Sequence, residues 1–453
     1  MTRREPTALR PGALLCGALA LSCAHPAPEP PPPPPPVARP APPPVAPLED
    51  IYACMAPTVE LPAIAMGQLD RPVPTIVDSQ VLAPFFDKVA ALMRGDADDH
   101  IRIAVYGDSN LTRDHLTGQM RRTLQLRHGD AGHGFVALGR PWDHYVHMDV
   151  KHGQGAGWEA YTSSTDPVID NVYGISGIAV ESVRKGAVAW VETADASAPV
   201  GRAVSRVNVF YLQDTNLGTF DIVVDGERHS TVDARAPRRG LGVQPVTLPD
   251  GPHRIELRSA SWSGRTRLLG VTLERGEPSF VVDSFGVACA NSVSHARQDA
   301  AINRAMLEQR DYDLIVFATG ANDLFTLEAA PKAMERIIAW HREALPDVPI
   351  LVLSPSDRGR SKTFPRTLRV IEQRRQIAAE NGTAFWSVFE AMGGPDSMGR
   401  FKRRGFAEYD YVHFTEAGGA YLGDRLVYAL WRELDAYLTG TPEAGCSDEL
   451  TWH

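Results

Sequence analysis

Only five cysteines occur in the 453 residues, and no Cys-x-x-Cys pair is among them, which argues against a structural zinc site. No long run of Lys and Arg occurs either, so the electrostatic footprint of a nucleic-acid binder is missing. The apolar stretch Gly12–Leu21 is too short to span a bilayer. No internal repeat divides the chain. What is present is ordinary for a globular protein: 43% hydrophobic and 22% charged residues, with a formal net charge of −9 that reads as solubility. The length suits two or three domains.

Arg3, Arg4 and Arg10 precede the apolar stretch, which ends at Leu-Ser-Cys-Ala. The pattern over residues 1–22 resembles the signal peptide and lipobox of a bacterial lipoprotein, with Cys23 as the lipidated residue. Ala20 stands where that pattern usually has Leu. The resemblance implies export and a lipid anchor in the bacterial cell envelope, its sole membrane contact, with plain secretion as the second reading. Between residues 24 and 50 lie 14 of the 36 prolines. Residues 23–50 therefore read as a stiff polyproline II tether, reaching roughly 80 Å at ~3.1 Å per residue. Cys54 and Cys446 flank the globular part, and an exported chain meets an oxidising compartment, so these two are candidates for a disulfide. Cys289 is left over and reads as a buried thiol.

The globular part shows two textures. Residues 79–94 have apolar residues at helical spacing, with Ser79 as N-cap. A strand follows at 101–106 and a helix at 112–127. From 145 to 275 helical periodicity disappears. Short β-rich runs stand at 186–191, 205–212, 219–224, 253–258 and 266–274, and Asp225-Gly226 marks a hairpin. Strands at 279–283, 313–318, 349–353 and 383–387 then alternate with helices at 296–309, 329–344, 363–380 and about 415–438. The expected fold is α/β: a parallel, doubly wound sheet with helices on both faces, made of residues 51–144 and 276–445. An antiparallel β-sandwich of jelly-roll type, residues 145–275, interrupts it, and 446–453 form a tail.

Several sheet strands end on residues with chemistry. The first runs into Gly107-Asp108-Ser109, the second is followed by Gly286, and the third by Gly320-Ala321-Asn322-Asp323. A late loop carries Asp410-Tyr411-Val412-His413. In a parallel sheet the strand ends share one edge, so these residues can converge. A serine nucleophile needs a base within hydrogen-bond reach, and His413 can serve, oriented by Asp410. The Ser109 N–H, the Gly286 N–H and the Asn322 amide can supply an oxyanion hole.

This arrangement resembles the SGNH/GDSL hydrolase family, over about 79–140 and 279–440. Gly107-Asp108-Ser109 matches its first block, Gly320 to Asp323 its Gly-x-Asn-Asp block, and Asp410 and His413 its Asp-x-x-His block. The resemblance implies a flavodoxin-like sheet, Ser109 as nucleophile, and Asn322 as oxyanion donor. Asn110 replaces the Leu of the family motif and is expected not to touch the nucleophile. Gly286 is preferred to Gly174 or Gly177 as the second-block glycine because it alone follows a sheet strand. No Gly-x-Ser-x-Gly elbow occurs, which argues against an ordinary α/β-hydrolase.

Other features carry less. His144, His147 and His152 have no standard metal spacing, and neither a metal nor a cofactor is expected. Gly153, Gly155 and Gly157 lack the strand-to-helix frame of a dinucleotide site. Trp142, Tyr145 and Trp158 read as a sugar-stacking wall or, more commonly, as packing between domains. An interrupted SGNH domain resembles bacterial peptidoglycan O-acetylesterases, whose insert looks like a carbohydrate-binding module. The expected function is that of an exported serine esterase removing O-acetyl or other short acyl groups from envelope polysaccharide. Its expected partners are thus a polysaccharide or a small ester. The alternatives are an O-acetyltransferase with the same triad, a lipase or thioesterase, and a non-catalytic carbohydrate-binding lipoprotein.

Overall fold

The computed structural model describes Val59 and residues 72–262, 264–359 and 362–440. Cys23, the tether, Cys54 and Cys446 lie outside the described residues. Helix α1 (Ala83–Arg94), strand β1 (Ile101–Gly107) and helix α2 (His115–His128) come first. A short 3-10 turn, Ser79–Leu82, precedes α1. Ser79 is therefore not its N-cap: Asp78 takes a left-handed conformation before the turn, and Leu82 leads into the helix.

Strand β1 alternates strictly. Ile101, Ile103 and Val105 enter one hydrophobic cluster, with Phe86 of α1 and Leu124 of α2. Ala104 and Tyr106 enter the other. A strand buried on both faces is what a parallel sheet requires. Its neighbours are β13 (Phe280–Gly286) and β14 (Leu314–Ala318), both parallel to it. Beyond β14 lie β15 (Ile350–Leu353) and β16 (Ala384–Trp386), again parallel. Counted in chain order among these five, the sheet runs 2-1-3-4-5, which is the flavodoxin-like order. Its switch point lies beside β1, where Ser109 emerges. The register aligns Gly107 with Gly286 on one side and Ala318 on the other, so three strands end level.

Strands β2 to β12 form two antiparallel sheets. The first contains β4 (Trp158–Thr162), β5 (Ile178–Ser182), β7 (Val204–Gln213), β10 (Gly240–Gly251) and β12 (Thr266–Glu274), with β2 (Gly134–Val136) paired to β12. The second contains β3 (Val150–Gln154), β6 (Val188–Thr193), β8 (Thr219–Val224), β9 (Glu227–Asp233) and β11 (Arg254–Ser259). Asp225 and Gly226 both take positive φ, 50° and 88°, as a two-residue I′ hairpin demands. Strand β2 lies ahead of residue 145, so the sandwich draws on chain from the first α/β segment.

The remaining helices are α3 (Ser292–Ala296), α4 (Ala300–Arg310), α5 (Ala330–Ala344), α6 (Phe364–Glu380), α7 (Val388–Ala391), α8 (Ser397–Arg403) and α9 (Glu416–Gly440). The helix expected over 296–309 runs from Ala300 to Arg310, and a separate short helix, α3, precedes it. Asn291 caps α3 with a reciprocal capping box, and Asp299 caps α4.

The sandwich and the parallel sheet share one core. Phe135 of β2 meets Phe285 of β13 edge-on at 5.3 Å and Phe210 of β7 at 5.9 Å. Buried polar groups lock this joint. Asp283 accepts from the Phe135 N–H at 2.7 Å, from Arg310 at 2.7 Å and from the Tyr312 hydroxyl at 2.6 Å. Arg310 also donates to Glu274 at 2.5 Å, and Glu274 accepts from Arg102 at 3.0 Å. Burial alone would raise the Glu274 carboxyl, but the two guanidinium groups hold it far below its ordinary value.

Candidate active site

The turn after β1 closes tightly because two glycines permit it. A Cβ on Gly107 would stand 2.2 Å from Leu111 Cδ1, and one on Gly286 would stand 2.4 Å from the Leu111 carbonyl carbon. Gly286 is the last residue of β13, not part of the loop beyond it. Its close neighbour is the backbone that follows Ser109. Asp114 takes φ 56°, so α2 begins at His115 and residues 108–114 remain a turn.

Three consecutive side chains of this turn reach three places. Asp108 is buried and accepts from the Asn110 N–H at 3.1 Å and from the Ala321 N–H at 3.2 Å. Burial pushes its carboxyl up, against those two bonds. Ser109 Oγ lies 2.7 Å from His413 Nε2. Asn110 Oδ1 accepts from the Phe414 N–H at 3.2 Å. The Asn110 side chain leaves Ser109 alone and instead ties the serine turn to the residue after His413. Sequence reasoning missed this tie, because nothing local announces a partner some three hundred residues away.

His413 Nδ1 lies 2.5 Å from Asp410 Oδ2. With Nδ1–H donated to that carboxylate, Nε2 is left to accept the Ser109 hydroxyl proton. The other Asp410 oxygen accepts from the backbone N–H groups of Val412, at 2.9 Å, and His413, at 3.1 Å. Burial would raise the Asp410 carboxyl, but the hydrogen bonds from His413 and Val412 outweigh it and hold the pKa below the ordinary value. His413 and Asp410 both keep over a third of their side-chain surface open to solvent.

The loop after β14 supplies the third element. Gly320 takes φ 134°, and Asn322 Nδ2 donates to the Ala290 carbonyl at 2.9 Å, leaving its second amide hydrogen for other use. Asp323 is buried. It accepts from the N–H and hydroxyl of Ser292, each at 2.8 Å, and from Arg374 of α6 at 2.5 Å. Arg358 donates to the Ala321 carbonyl at 2.7 Å. Asp323 and Arg374 thus brace the loop that presents Asn322. Cys289 lies in the neighbouring turn with φ 58° and is half-buried, not buried, because it sits at the sheet's carboxyl edge and not in its core.

The other singled-out residues fall elsewhere. Tyr145 and Trp158 are buried in the shared core, while Trp142 is half-buried and stacks on His144 at 6.1 Å. Gly153 and Gly155 belong to or follow β3 and frame no helix. Of the three histidines, only His147 joins a group with close ligand atoms, and its companions are Asp114 and His133. His133 Nε2 lies 3.3 Å from His147 Nδ1, and the Tyr145 hydroxyl 2.9 Å from His147 Nε2. Asp114 already accepts from Arg121 at 2.9 Å, from the Met148 N–H at 2.9 Å and from Thr117, so a guanidinium neutralises it. Burial pushes the His147 imidazole down to about 3. A polar cavity of about 540 Å³ lies in the sandwich, lined by residues such as Thr215, Asn216, Arg235 and Ser261.

Residues 248–421 match the GDSL-like Lipase/Acylhydrolase family. That span holds Asn322, Asp410 and His413, and Ser109 lies upstream of it. No curated protein sequence matches the chain. Among solved structures, a peptidoglycan O-acetylesterase is 21% identical, with a TM-score of 0.66, covering 78% of this chain and 96% of that one. A salicylyl-acyltransferase from a tetracycline biosynthetic pathway is 14% identical over 62% of this chain and 93% of its own, with a TM-score of 0.29. A lipase/acylhydrolase from Enterococcus faecalis is 18% identical over 35% and 77%, with a TM-score of 0.27. The matched span is a GDSL-like lipase/acylhydrolase domain, and it marks the chain as an ester-hydrolysing enzyme. Strands β2 to β12 lie in the chain between β1 and β13.

Proposed function

We propose that the protein is a serine esterase that removes acetyl or similarly short acyl groups from cell-envelope polysaccharide, peptidoglycan foremost. The observation that carries the mechanism is the 2.7 Å contact of Ser109 Oγ with His413 Nε2, backed by Asp410. His413 takes the serine proton as Oγ attacks the acyl carbonyl, and Asp410 stabilises the imidazolium. The Ser109 N–H, the free hydrogen of the Asn322 amide and the Gly286 N–H are the candidate donors for the oxyanion. His413 then gives the proton to the departing sugar oxygen, leaving an acyl-serine. Water, deprotonated by the same imidazole, cleaves that ester and restores Ser109.

The polysaccharide reading is supported by the likeness of fold to a peptidoglycan O-acetylesterase over almost all of that protein's length. The lipobox-like segment and proline tether support delivery to the envelope on a lipid anchor. The test is Ser109→Ala assayed on an aryl acetate and on O-acetylated peptidoglycan. Acetate release is expected to fall by at least about 10⁴-fold on both, with the circular dichroism spectrum unchanged. Wild-type rates in that variant would refute the mechanism. Release from peptidoglycan no faster than from acetylated xylan would refute the preferred substrate.

A further inference from the structure

Among the described residues, three aromatic side chains stand largely exposed: Trp262, Phe325 and Tyr409. Two of the three stand within three residues of side chains of the proposed site. Phe325 is 55% exposed and follows Asn322 by three residues, with its N–H bonded to the Asn322 carbonyl at 3.1 Å. Tyr409 is 87% exposed and immediately precedes Asp410. Each ring has a cation against it. Arg358 lies 5.7 Å from the Phe325 ring centre. Lys402 lies 4.6 Å from Tyr409 and 4.1 Å from Tyr411. One short segment links the two sides, because Arg358 holds the Ala321 carbonyl and the Gly359 N–H bonds the Tyr411 carbonyl at 3.2 Å.

A largely exposed aromatic ring offers apolar area that a ligand can cover. A long acyl chain is a poor cover here, since a guanidinium and an ammonium break the apolar surface. A pyranose ring is a good one. Its C–H face covers an aromatic ring, while its hydroxyls reach the neighbouring cations. We propose that Phe325 and Tyr409 are sugar platforms on either side of Ser109. They bind pyranose units flanking the acylated one, so the enzyme acts on residues within a polysaccharide chain. This inference rests on the esterase reading above and adds the length and chemistry of the substrate to it.

The test uses the full chain and the variants Phe325→Ala, Tyr409→Ala and Tyr409→Trp. Each alanine variant is expected to lower kcat/KM on O-acetylated peptidoglycan fragments of several sugars about tenfold, mainly through KM. The loss on 4-nitrophenyl acetate is expected to be at least about fivefold smaller, and Tyr409→Trp to restore the polysaccharide activity. Leu126→Ala, which removes an exposed apolar side chain from α2, is the control and should change neither substrate. Equal losses on both substrates, no loss on the sugar polymer, or a selective loss on long-chain acyl esters would each overturn the platforms. Ser109→Ala run alongside separates the two levels. If it is inactive while the platform variants behave as wild type, the esterase reading stands and the platforms fall.

Discussion

At the carboxyl edge of the parallel sheet, Asp410, His413 and Ser109 are joined by one hydrogen bond to the next and stay partly open to water. At the joint between sheet and sandwich, Asp283, Arg310 and Glu274 are sealed away, and single oxygens accept from several donors at once. The first arrangement lets a proton move, because hydroxyl, imidazole and carboxylate stand in one relay with a nearby solvent route. The second forbids movement, because no protonation change leaves its charges balanced. The same residue types therefore serve reactivity in one place and rigidity in the other, and burial decides which.

The contrast can be broken at either end. Ser109→Ala removes the reacting atom, so the largest expected effect, at least about 10⁴ in turnover, should come with stability unchanged within about 0.5 kcal/mol. Arg310→Met should do the reverse. It leaves Asp283 without its guanidinium and Glu274 with only Arg102, at an expected cost of about 3–5 kcal/mol in urea denaturation. Specific activity of the folded fraction should stay within about twofold of wild type. A stable but inactive Arg310→Met would mean that the joint shapes the site directly.

Acid sharpens the same comparison. Burial pushes His147 down to about 3 and His152 to about 4, whereas unfolded histidine titrates near ~6.5. Below that value the unfolded chain binds protons that the folded chain refuses. Stability should therefore fall by ~1.4 kcal/mol per pH unit for each such histidine as pH drops from ~6.5 toward the folded values. Glu274 acts lower down: its folded pKa is depressed, so its contribution is full above ~4.3 and is lost on further acidification. Urea midpoints measured from pH 7 to 4 check this, and a flat profile would contradict it. His147→Gln should reduce the slope by one proton.

The smallest effect belongs to Asn110. Replacing it with Leu, the usual residue of the family motif, deletes the acceptor for the Phe414 N–H. At ~1–2 kcal/mol for one unsatisfied donor, kcat on an aryl acetate should fall about 5- to 30-fold. Asn110→Asp keeps an acceptor and should recover most of it. Leucine and aspartate variants of equal activity would show that the tie does not position His413.

Much of this molecule could be read from one dimension. The alternation in IRIAVYG, the helical spacing after it and the paired positive-φ residues Asp225 and Gly226 are properties of near neighbours, and strand β1 and the hairpin appear where they were expected. The blocks around Ser109, Asn322 and His413 could likewise be named, because each follows a strand or precedes a helix. The short strands β3, β4 and β5 went unread, since five residues flanked by glycines and turns carry little period.

Contacts across the chain were another matter. That Asn110 meets Phe414, that Gly286 clears room for Leu111, and that β2 crosses into the sandwich follow from strand register and sheet pairing. Periodicity says which face of a strand is buried but not which distant strand lies beside it. Local residue patterns settled that a serine stands at the end of a buried strand. Only the tertiary fold, which brings Gly107, Gly286 and Ala318 level and ties the Phe414 N–H to Asn110, set that serine beside a histidine some three hundred residues away.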